Sequence, residues 1–258
     1  MIPLSDAPGE RRRFPFVNYL LIAINIVVFL FELQQGDQVN NFIFAYGVVP
    51  AALTHNIPQT ILFADQLPQP FPFQTPQPVW LTIFTSMFMH AGWLHIGGNM
   101  LFLYIFGDNV EDRFGHIGYL VFYLLCGVVA SLAQTLIDPN STIPSLGASG
   151  AIAGVLAAYA VFFPAARVRT LIFLGIFITL ATVPALILIG LWFVLQFFDG
   201  VISLSNQAAA STGGVAYFAH VGGFVAGLLI ALVLRPWLKP PARINTYPRW
   251  PTYSNARW

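Results

Sequence analysis

Apolar residues gather into six long runs along this chain, and polar, glycine-rich or proline-rich segments separate them. A helix needs roughly 17–25 mostly apolar residues to cross the hydrocarbon core of a bilayer. The pattern therefore predicts an all-α polytopic membrane protein built as a bundle of six transmembrane helices. The predicted spans cover residues 16–33, 92–107, 116–137, 148–164, 170–198 and 215–234.

Three of the predicted spans depart from the usual length. The second and the fourth are short, whereas the fifth is long and contains Pro184 near its middle. A proline inside a helix removes a backbone hydrogen bond, and its ring clashes with the preceding turn. We therefore expect the fifth span to be kinked or tilted in the bilayer.

All eleven Lys and Arg residues fall on one side of the predicted bundle. The connections on the opposite side, at residues 34–81, 138–147 and 199–214, contain none. Because positively charged connections stay in the cytoplasm, both termini are predicted to be cytoplasmic. The basic residues are Arg11, Arg12, Arg13, Arg113, Arg167, Arg169, Arg235, Lys239, Arg243, Arg249 and Arg257.

The first outer connection, residues 34–81, is long and rich in proline and aromatic residues. Proline at this density excludes a continuous helix. The phenylalanines and Trp80 favour a segment that lies on the bilayer interface over a hydrated linker. The predicted organisation is a cytoplasmic tail over residues 1–15, a membrane domain over residues 16–236 and a cytoplasmic tail over residues 237–258.

Composition agrees with a membrane protein and narrows the function. The chain is 57% hydrophobic and 8% charged, against about 25% charged in soluble domains. Its net charge of +1 gives no sign of a nucleic-acid partner. His90 and His95 lie five residues apart and lack the glutamate of an H-E-x-x-H zinc motif, so we expect no metal and no cofactor.

Polar residues stand near the outer ends of three predicted spans. His95 is about three residues into the second span, Ser149 about one into the fourth and His220 about five into the sixth. At a rise of roughly 1.5 Å per residue, the three side chains are expected within several ångströms of one depth. Asn99 follows His95 by four positions and shares its helix face. Polar residues at membrane depth are functional-site candidates.

Small residues follow both Ser149 and His220. The fourth span continues as GAIAG over residues 150–154, and the sixth contains GFVAG over residues 223–227. Such faces let helix backbones approach closely in lipid. If the fourth and sixth spans pack through these glycines, Ser149 and His220 come within hydrogen-bonding reach.

A serine hydroxyl becomes a useful nucleophile when a base accepts its proton, and His220 is the candidate base. Every Asp and Glu falls in a predicted connection or at the end of a predicted helix, which favours a Ser–His dyad over a triad. Candidate donors to an oxyanion are the Asn99 amide, the His95 ring and the Ser149 backbone N–H. A serine in a membrane helix also commonly bonds its own backbone, which is the alternative for Ser149.

The chain resembles the rhomboid intramembrane serine proteases of the bacterial six-span type. The matching segments are HAGWLHIGGN at residues 90–99, GASGA at 147–151 and AHVGG at 219–223. The resemblance implies Ser149 as nucleophile, His220 as base, and His95 and Asn99 as part of the oxyanion-binding site. It also implies substrates with a transmembrane helix, cut within or beside that helix and often after a small residue.

Two positions depart from the family pattern. The Trp-Arg pair that is common in the first loop is not evident, since Leu81 and Thr82 follow Trp80. Some members stack a tyrosine, four residues after the nucleophile, on the catalytic histidine, but this chain has Ala153 there. We therefore expect another group to hold His220, either Tyr217 or packing alone.

The outer end of the fifth span is aromatic, and a lateral gate for a substrate helix is one interpretation. Lipid-facing bulk is the other. The possible gate residues are Trp192, Phe193, Phe197 and Phe198, which would neighbour Trp93 if the second and fifth spans lie side by side.

The sequence also predicts location and partners. We expect a multi-pass protein of the bacterial cytoplasmic (inner) membrane whose site opens to the outer side, with membrane-protein substrates and lipid as partners. A catalytically inactive rhomboid-like protein that binds membrane clients is the alternative, although such relatives lose the dyad that this chain keeps. A transporter or channel is less well supported, because repeated halves are not evident.

Overall fold

The computed structural model describes residues 1–6, 13–68, 70–174, 177–205 and 216–238. Most of the predicted C-terminal tail, from residue 239 onward, lies outside the described residues, as do residues 206–214 of the third outer connection. Everything below concerns the described part of the chain.

Helices dominate the structure, and the predicted helical membrane fold is confirmed. Four helices are long and apolar enough to cross a membrane: Phe16–Gln34, His116–Ile137, Ala185–Ser203 and Tyr217–Leu234. The full set is α1 (Phe16–Gln34), α2 (Val39–Tyr46), α3 (Pro50–His55), α4 (Gln59–Leu62), α5 (Thr82–Ser86), α6 (Trp93–Phe102), α7 (Asp108–Phe114), α8 (His116–Ile137), α9 (Ser149–Phe162), α10 (Ala185–Ser205) and α11 (Tyr217–Leu234).

The helix at the second predicted span continues beyond the predicted end at residue 107. A π-helical turn over Leu103–Gly107 joins α6 to α7 without a break, so the chain is helical from Trp93 to Phe114. The side chain of Asn18 packs against this turn and donates a hydrogen bond to the Leu103 carbonyl at 3.0 Å. Gly107 makes room for it, because a Cβ there would overlap the Asn18 amide.

Two carboxylates of α7 accept backbone N–H groups at and just before the start of α1. Glu111 accepts the backbone N–H groups of Val17 at 3.0 Å and Asn18 at 2.7 Å, and Asp112 accepts that of Arg13 at 2.9 Å. The first N–H groups of a helix have no partner inside the helix, and the helix dipole favours an anion there. Glu111 is 1% exposed, so this cap is a buried tie between two elements distant in sequence.

Glu111→Ala should lower the free energy of unfolding by about 1–3 kcal/mol, because two buried N–H donors lose their acceptor. Glu111→Gln keeps one carbonyl oxygen and should fall between Glu111→Ala and wild type. Thermal unfolding of the purified protein in detergent measures the order. Unfolding of Glu111→Ala at the wild-type temperature would contradict the role of this cap.

The fifth predicted span, residues 170–198, is wrong in its first half. Two antiparallel strands occupy this segment, β2 (Arg167–Leu174) and β3 (Phe177–Pro184), with Arg167 opposite Pro184 and Leu174 opposite Phe177. The helix begins at Ala185, so Pro184 precedes α10 and does not kink it. Apolar content alone does not distinguish a strand from a helix, and the β-branched residues of this segment favour the strand.

The N-terminal segment adds a third strand, β1 (Ile2–Asp6), which pairs antiparallel with β2. Asp6 then ties β1 to the helices, because its carboxylate accepts hydrogen bonds from Asn109 Nδ2 at 2.7 Å and from the Tyr159 hydroxyl at 3.0 Å. Burial, with the neighbouring Asp108 carboxylate, raises the pKa of Asp6 to about 6. The first residues of the predicted tail are thus docked against the bundle.

The first outer connection folds into short helices, as its proline content predicts. Buried Gln59 on α4 holds the turn after α2, because its Nε2 donates to the carbonyls of Phe44 and Ala45 at 2.8 and 2.9 Å. Val48 exchanges backbone hydrogen bonds with Ser145 at 3.0 and 2.8 Å. The connection is therefore fastened to the segment that leads into α9, while its place at the bilayer interface stays a prediction.

The centre of the fold is α9, whose residues from Gly150 to Tyr159 are all buried. It packs against α6, α8, α10 and α11. A helix that is apolar on all sides is typical of an element surrounded by others. Because Ser149 is the first residue of α9, this position brings it close to several other helices.

Candidate active site

Ser149 lies where a tightly held loop turns into α9. The backbone N–H of Gly147 donates to the Ser86 carbonyl at 2.9 Å. Gly147 has φ of +122°, a conformation that residues with a side chain rarely adopt. The loop and the helix start therefore fix the direction of the Ser149 side chain, and its backbone N–H belongs to the first turn of α9, where no intrahelical acceptor exists.

His220 is the fourth residue of α11, and its ring lies against the Ser149 side chain. Its Nε2 is 2.7 Å from Ser149 Oγ, and the histidine is 7% exposed. The two residues stand 71 positions apart in sequence. The contact has the distance of a hydrogen bond between a nucleophile and its base.

Glycines set the distance between the two helices that carry this pair. A Cβ on Gly223 would overlap the Gly150 carbonyl, and a Cβ on Gly227 would overlap the backbone of Gly154. The predicted packing of the fourth and sixth spans through their small-residue faces is confirmed. The α9 and α11 backbones approach closely because no side chain separates them.

Gly223→Ala should lower the free energy of unfolding by about 1–3 kcal/mol, because the added methyl group forces α11 away from α9. Gly190→Ala is the matched control: it also lies in an apolar helix, but nothing lies within 4 Å of the added Cβ. Thermal unfolding in detergent compares the two. Equal unfolding temperatures for both variants would show that this contact tolerates a side chain.

His220 has a second partner that sequence reasoning missed. Its Nδ1 is 2.5 Å from Gln196 Oε1 on α10, and the Trp192 ring lies against the imidazole with 5.7 Å between ring centroids. These contacts replace the expectation that Tyr217 or packing alone holds His220. The available signal was Gln196 itself, a polar residue within the apolar run of the fifth span.

His95, on α6, approaches the same region, and Asn99 follows it by one helical turn. A Cβ on Gly147 would lie 2.8 Å from His95 Cε1 and Nε2 and 3.6 Å from Ser149 Oγ, so the His95 ring covers the loop before the serine. Asn99 is 8% exposed, and its Nδ2 finds no hydrogen-bond acceptor among the described residues. A buried donor without a partner is costly, and an oxygen brought by a bound molecule would satisfy it.

The ring of His90 packs against the ring of His95. The two rings meet edge to face with 5.1 Å between their centroids. The backbone N–H of His90 donates to the carboxylate of Glu32, at the end of α1, at 3.1 Å. His90 and Glu32 are 2% and 1% exposed, and the tie between them was not predicted. It links α1 to the start of α6.

One cavity adjoins Ser149, and a larger one lies elsewhere in the bundle. The smaller, about 20 Å³, is lined by Ser86, Met87 and small residues of α8, α9 and α11. That volume holds about one water. The larger, about 150 Å³, lies between α6, α9 and α10, where Phe102, Leu156 and Trp192 line it together with Met1 and Pro3 of β1.

Two of the four possible gate residues contact side chains of α11, and the other two are exposed. Trp192 contacts His220, and Phe193 stacks on Phe224 of α11 with 4.2 Å between centroids. Phe197 and Phe198 are 42% and 58% exposed. Trp93 packs edge-on against Phe29 of α1 with 5.0 Å between centroids.

Among the residues that the structure describes, no group of three or more His, Cys, Asp or Glu residues could hold a metal ion. The Ser149 hydroxyl, the His220 imidazole and the Gln196 amide are brought together, and the His95 ring lies beside the loop that precedes Ser149. A hydroxyl that is hydrogen-bonded to an imidazole can act as a nucleophile on a carbonyl carbon.

Comparison with known proteins agrees with this description. A family model described as "Rhomboid domain" matches residues 77–237. Over 80 residues, 31% of the chain, it is 44% identical to "Rhomboid-like protein 11, chloroplastic" of Arabidopsis thaliana, and covers 28% of that protein. Over 145 residues, 56% of the chain, it is 30% identical to "Rhomboid protease GluP" of Bacillus subtilis (strain 168), and covers 24% of that protein. Over 153 residues, 58% of the chain, it is 30% identical to "Rhomboid protein 1, mitochondrial" of Saccharomyces cerevisiae, and covers 40% of that protein.

Proposed function

The chain belongs to the rhomboid family, and on this premise we propose that it is an intramembrane serine endopeptidase. The observation that carries the proposal is the 2.7 Å contact between Ser149 Oγ and His220 Nε2. The serine is bonded to an imidazole of another helix, which is the arrangement of an activated nucleophile and is unlike a serine that bonds its own backbone.

The proposed reaction begins with proton transfer from Ser149 Oγ to His220 Nε2 as the oxygen attacks the carbonyl carbon of the scissile peptide. The tetrahedral intermediate carries an oxyanion, which the Asn99 amide, the His95 ring and the Ser149 backbone N–H would bind. His220 then gives its proton to the leaving nitrogen, and an acyl-enzyme forms. A water that loses its proton to His220 hydrolyses this ester and restores the serine.

Substrates are proposed to be membrane proteins cut within or beside a transmembrane helix. The protein is a multi-pass membrane protein, and its site lies at the start of α9. The relatives named above are longer than the matched stretch, so the activity of the whole protein is part of the proposal.

The proposed topology is a six-helix membrane domain over residues 16–236 with both termini in the cytoplasm. The continuous helix from Trp93 to Phe114 supports the second span, because about 22 residues at 1.5 Å each cross roughly 30 Å. We place the protein in a bacterial cytoplasmic membrane, with the site opening away from the basic residues. The bacterial location stays a prediction from the sequence, since the relatives named above include a chloroplastic and a mitochondrial protein as well as a bacterial one.

Substrate access is proposed between α6 and α10. The cavity of about 150 Å³ lies between Phe102 on α6 and Trp192 on α10, and Met1 and Pro3 of β1 also line it, so the two helices are not packed tightly against each other there. Phe197 and Phe198, on the exposed side of α10, would be displaced by an arriving substrate helix.

Cleavage of a generic transmembrane substrate by the detergent-purified protein tests the proposal. Wild type should cleave, and Ser149→Ala and His220→Ala should each lose activity by about 10³-fold or more. Ser203→Ala is the matched serine control, because its hydroxyl donates to the Gly200 carbonyl of its own helix. His55→Ala, at the exposed last residue of α3, is the histidine control.

Three outcomes separate the alternatives. Cleavage that survives in both Ser149→Ala and His220→Ala would contradict the dyad. Absence of cleavage, with a fluorophosphonate probe that labels wild type and not Ser149→Ala, would support a competent site offered the wrong substrate. Absence of both cleavage and labelling would favour the inactive client-binding protein.

Asn99→Ala should lower kcat by about 10²-fold, because one donor to the oxyanion is lost. Its unfolding temperature should stay near that of wild type, since Asn99 Nδ2 has no acceptor to lose in the described structure. Asn41→Ala, which removes an exposed amide on α2, serves as control. A fall in stability as large as the fall in kcat would instead assign Asn99 a structural role.

A further inference from the structure

We propose that Gln196 is a positioning residue that holds His220 in the tautomer and orientation needed to activate Ser149. The inference rests on the proposed function and extends it to a third residue, on a third helix. Gln196 does not contact the serine. Its Oε1 lies 2.5 Å from His220 Nδ1, while His220 Nε2 lies 2.7 Å from Ser149 Oγ.

The direction of the two hydrogen bonds follows from the groups involved. An amide oxygen accepts, so Nδ1 must carry the ring proton and donate it to Gln196. A neutral imidazole with its proton on Nδ1 leaves Nε2 unprotonated and able to accept from the Ser149 hydroxyl. The opposite tautomer would put a proton on Nε2 and could not act as base. Gln196 thus favours the tautomer in which the nitrogen that faces the nucleophile, Nε2, carries no proton.

One face of α10 is built around this contact. Trp192, Gln196 and Gly200 are spaced by four residues and lie on the same side of the helix. Trp192 lies against the His220 ring, and a Cβ on Gly200 would lie 3.1 Å from the Cβ of Tyr217, at the start of α11. Phe193 and Phe224 stack one turn away with 4.2 Å between centroids. The α10 backbone is therefore held close enough for a glutamine to reach the ring.

The choice of an amide is consistent with the surroundings. Within the described residues, the hydrogen bonds of the His220 ring are those to Ser149 and Gln196. A carboxylate within a membrane span carries a large desolvation cost, whereas an amide is neutral and still offers a strong acceptor. Gln196 therefore orients the base without placing a second charge in the bundle.

A purely structural link between α10 and α11 would also use Gln196, so the test must separate orientation from stability. Gln196→Met has nearly the same length and no amide oxygen. Gln196→Glu restores an acceptor. Gln134→Met is the matched control, since Gln134 on α8 accepts the backbone N–H of Ala219 at 3.2 Å, next to His220, and does not bond the ring.

Cleavage kinetics are the first measurement. Gln196→Met should lower kcat by about 10- to 100-fold with an unchanged KM, and Gln134→Met should keep the wild-type kcat. Gln196→Glu should recover most of the lost rate. Its acidic limb should move to higher pH, because a carboxylate favours the protonated imidazole. An unchanged kcat in Gln196→Met, or equal losses in Gln196→Met and Gln196→Glu that follow their unfolding temperatures, would overturn the inference.

Nitrogen-15 NMR of the histidine rings, on the full chain in micelles, tests the same contact without activity. The signals of His220 are those that disappear in His220→Ala. Wild type and Gln134→Met should show a protonated Nδ1 and an unprotonated Nε2, and Gln196→Met should lose this preference. The same tautomer in Gln196→Met and wild type would overturn the inference. Failure of wild type to cleave or to label would overturn the proposed function alone, since the NMR result stands apart from it.

Discussion

The close approach of two helix backbones is the contact on which the rest of this structure depends. Where α9 crosses α11, a Cβ on Gly223 or Gly227 would overlap the backbone of the partner helix. Ser149 and His220 lie near the N-terminal ends of these two helices, and their 2.7 Å contact exists because the backbones are this near. In lipid, apolar side chains gain little by leaving the solvent, so close packing of small residues holds helices together.

Polar groups inside the bundle are tied to one another, and the ties explain where each helix lies. Glu111 satisfies the first turn of α1, Asn18 satisfies the carbonyl of the π-helical turn, and Gln196 bonds the ring of His220. An unpaired polar group costs several kcal/mol in a low-dielectric interior. Asn99 Nδ2 is one of several buried polar atoms that have no hydrogen-bond partner among the described residues, and it lies one helical turn after His95.

Much of the site was predictable because it depends on period and depth. His95 and Asn99 share a helix face by their spacing, and the glycine patterns after Ser149 and His220 correctly predicted which helices pack together. The partner of His220 was not predictable. Gln196 stood within a segment assigned to a single long span, and the rotation of α10 about its axis depends on contacts such as Gly200 against Tyr217. The secondary-structure prediction was wrong at residues 170–184, because an apolar run with β-branched residues fits a strand as well as a helix.

The sequence by itself determined the class of protein, the helices that carry the polar residues and the pairing of α9 with α11. These follow from hydrophobic runs, the positions of basic residues and small-residue spacing, all of which are local properties. Only the tertiary structure decided the docking of β1 on β2, the continuation of α6 into α7 and the hydrogen bond from His220 to Gln196. Each of these joins segments whose relative rotation and distance arise from packing of the whole bundle, which no local pattern encodes.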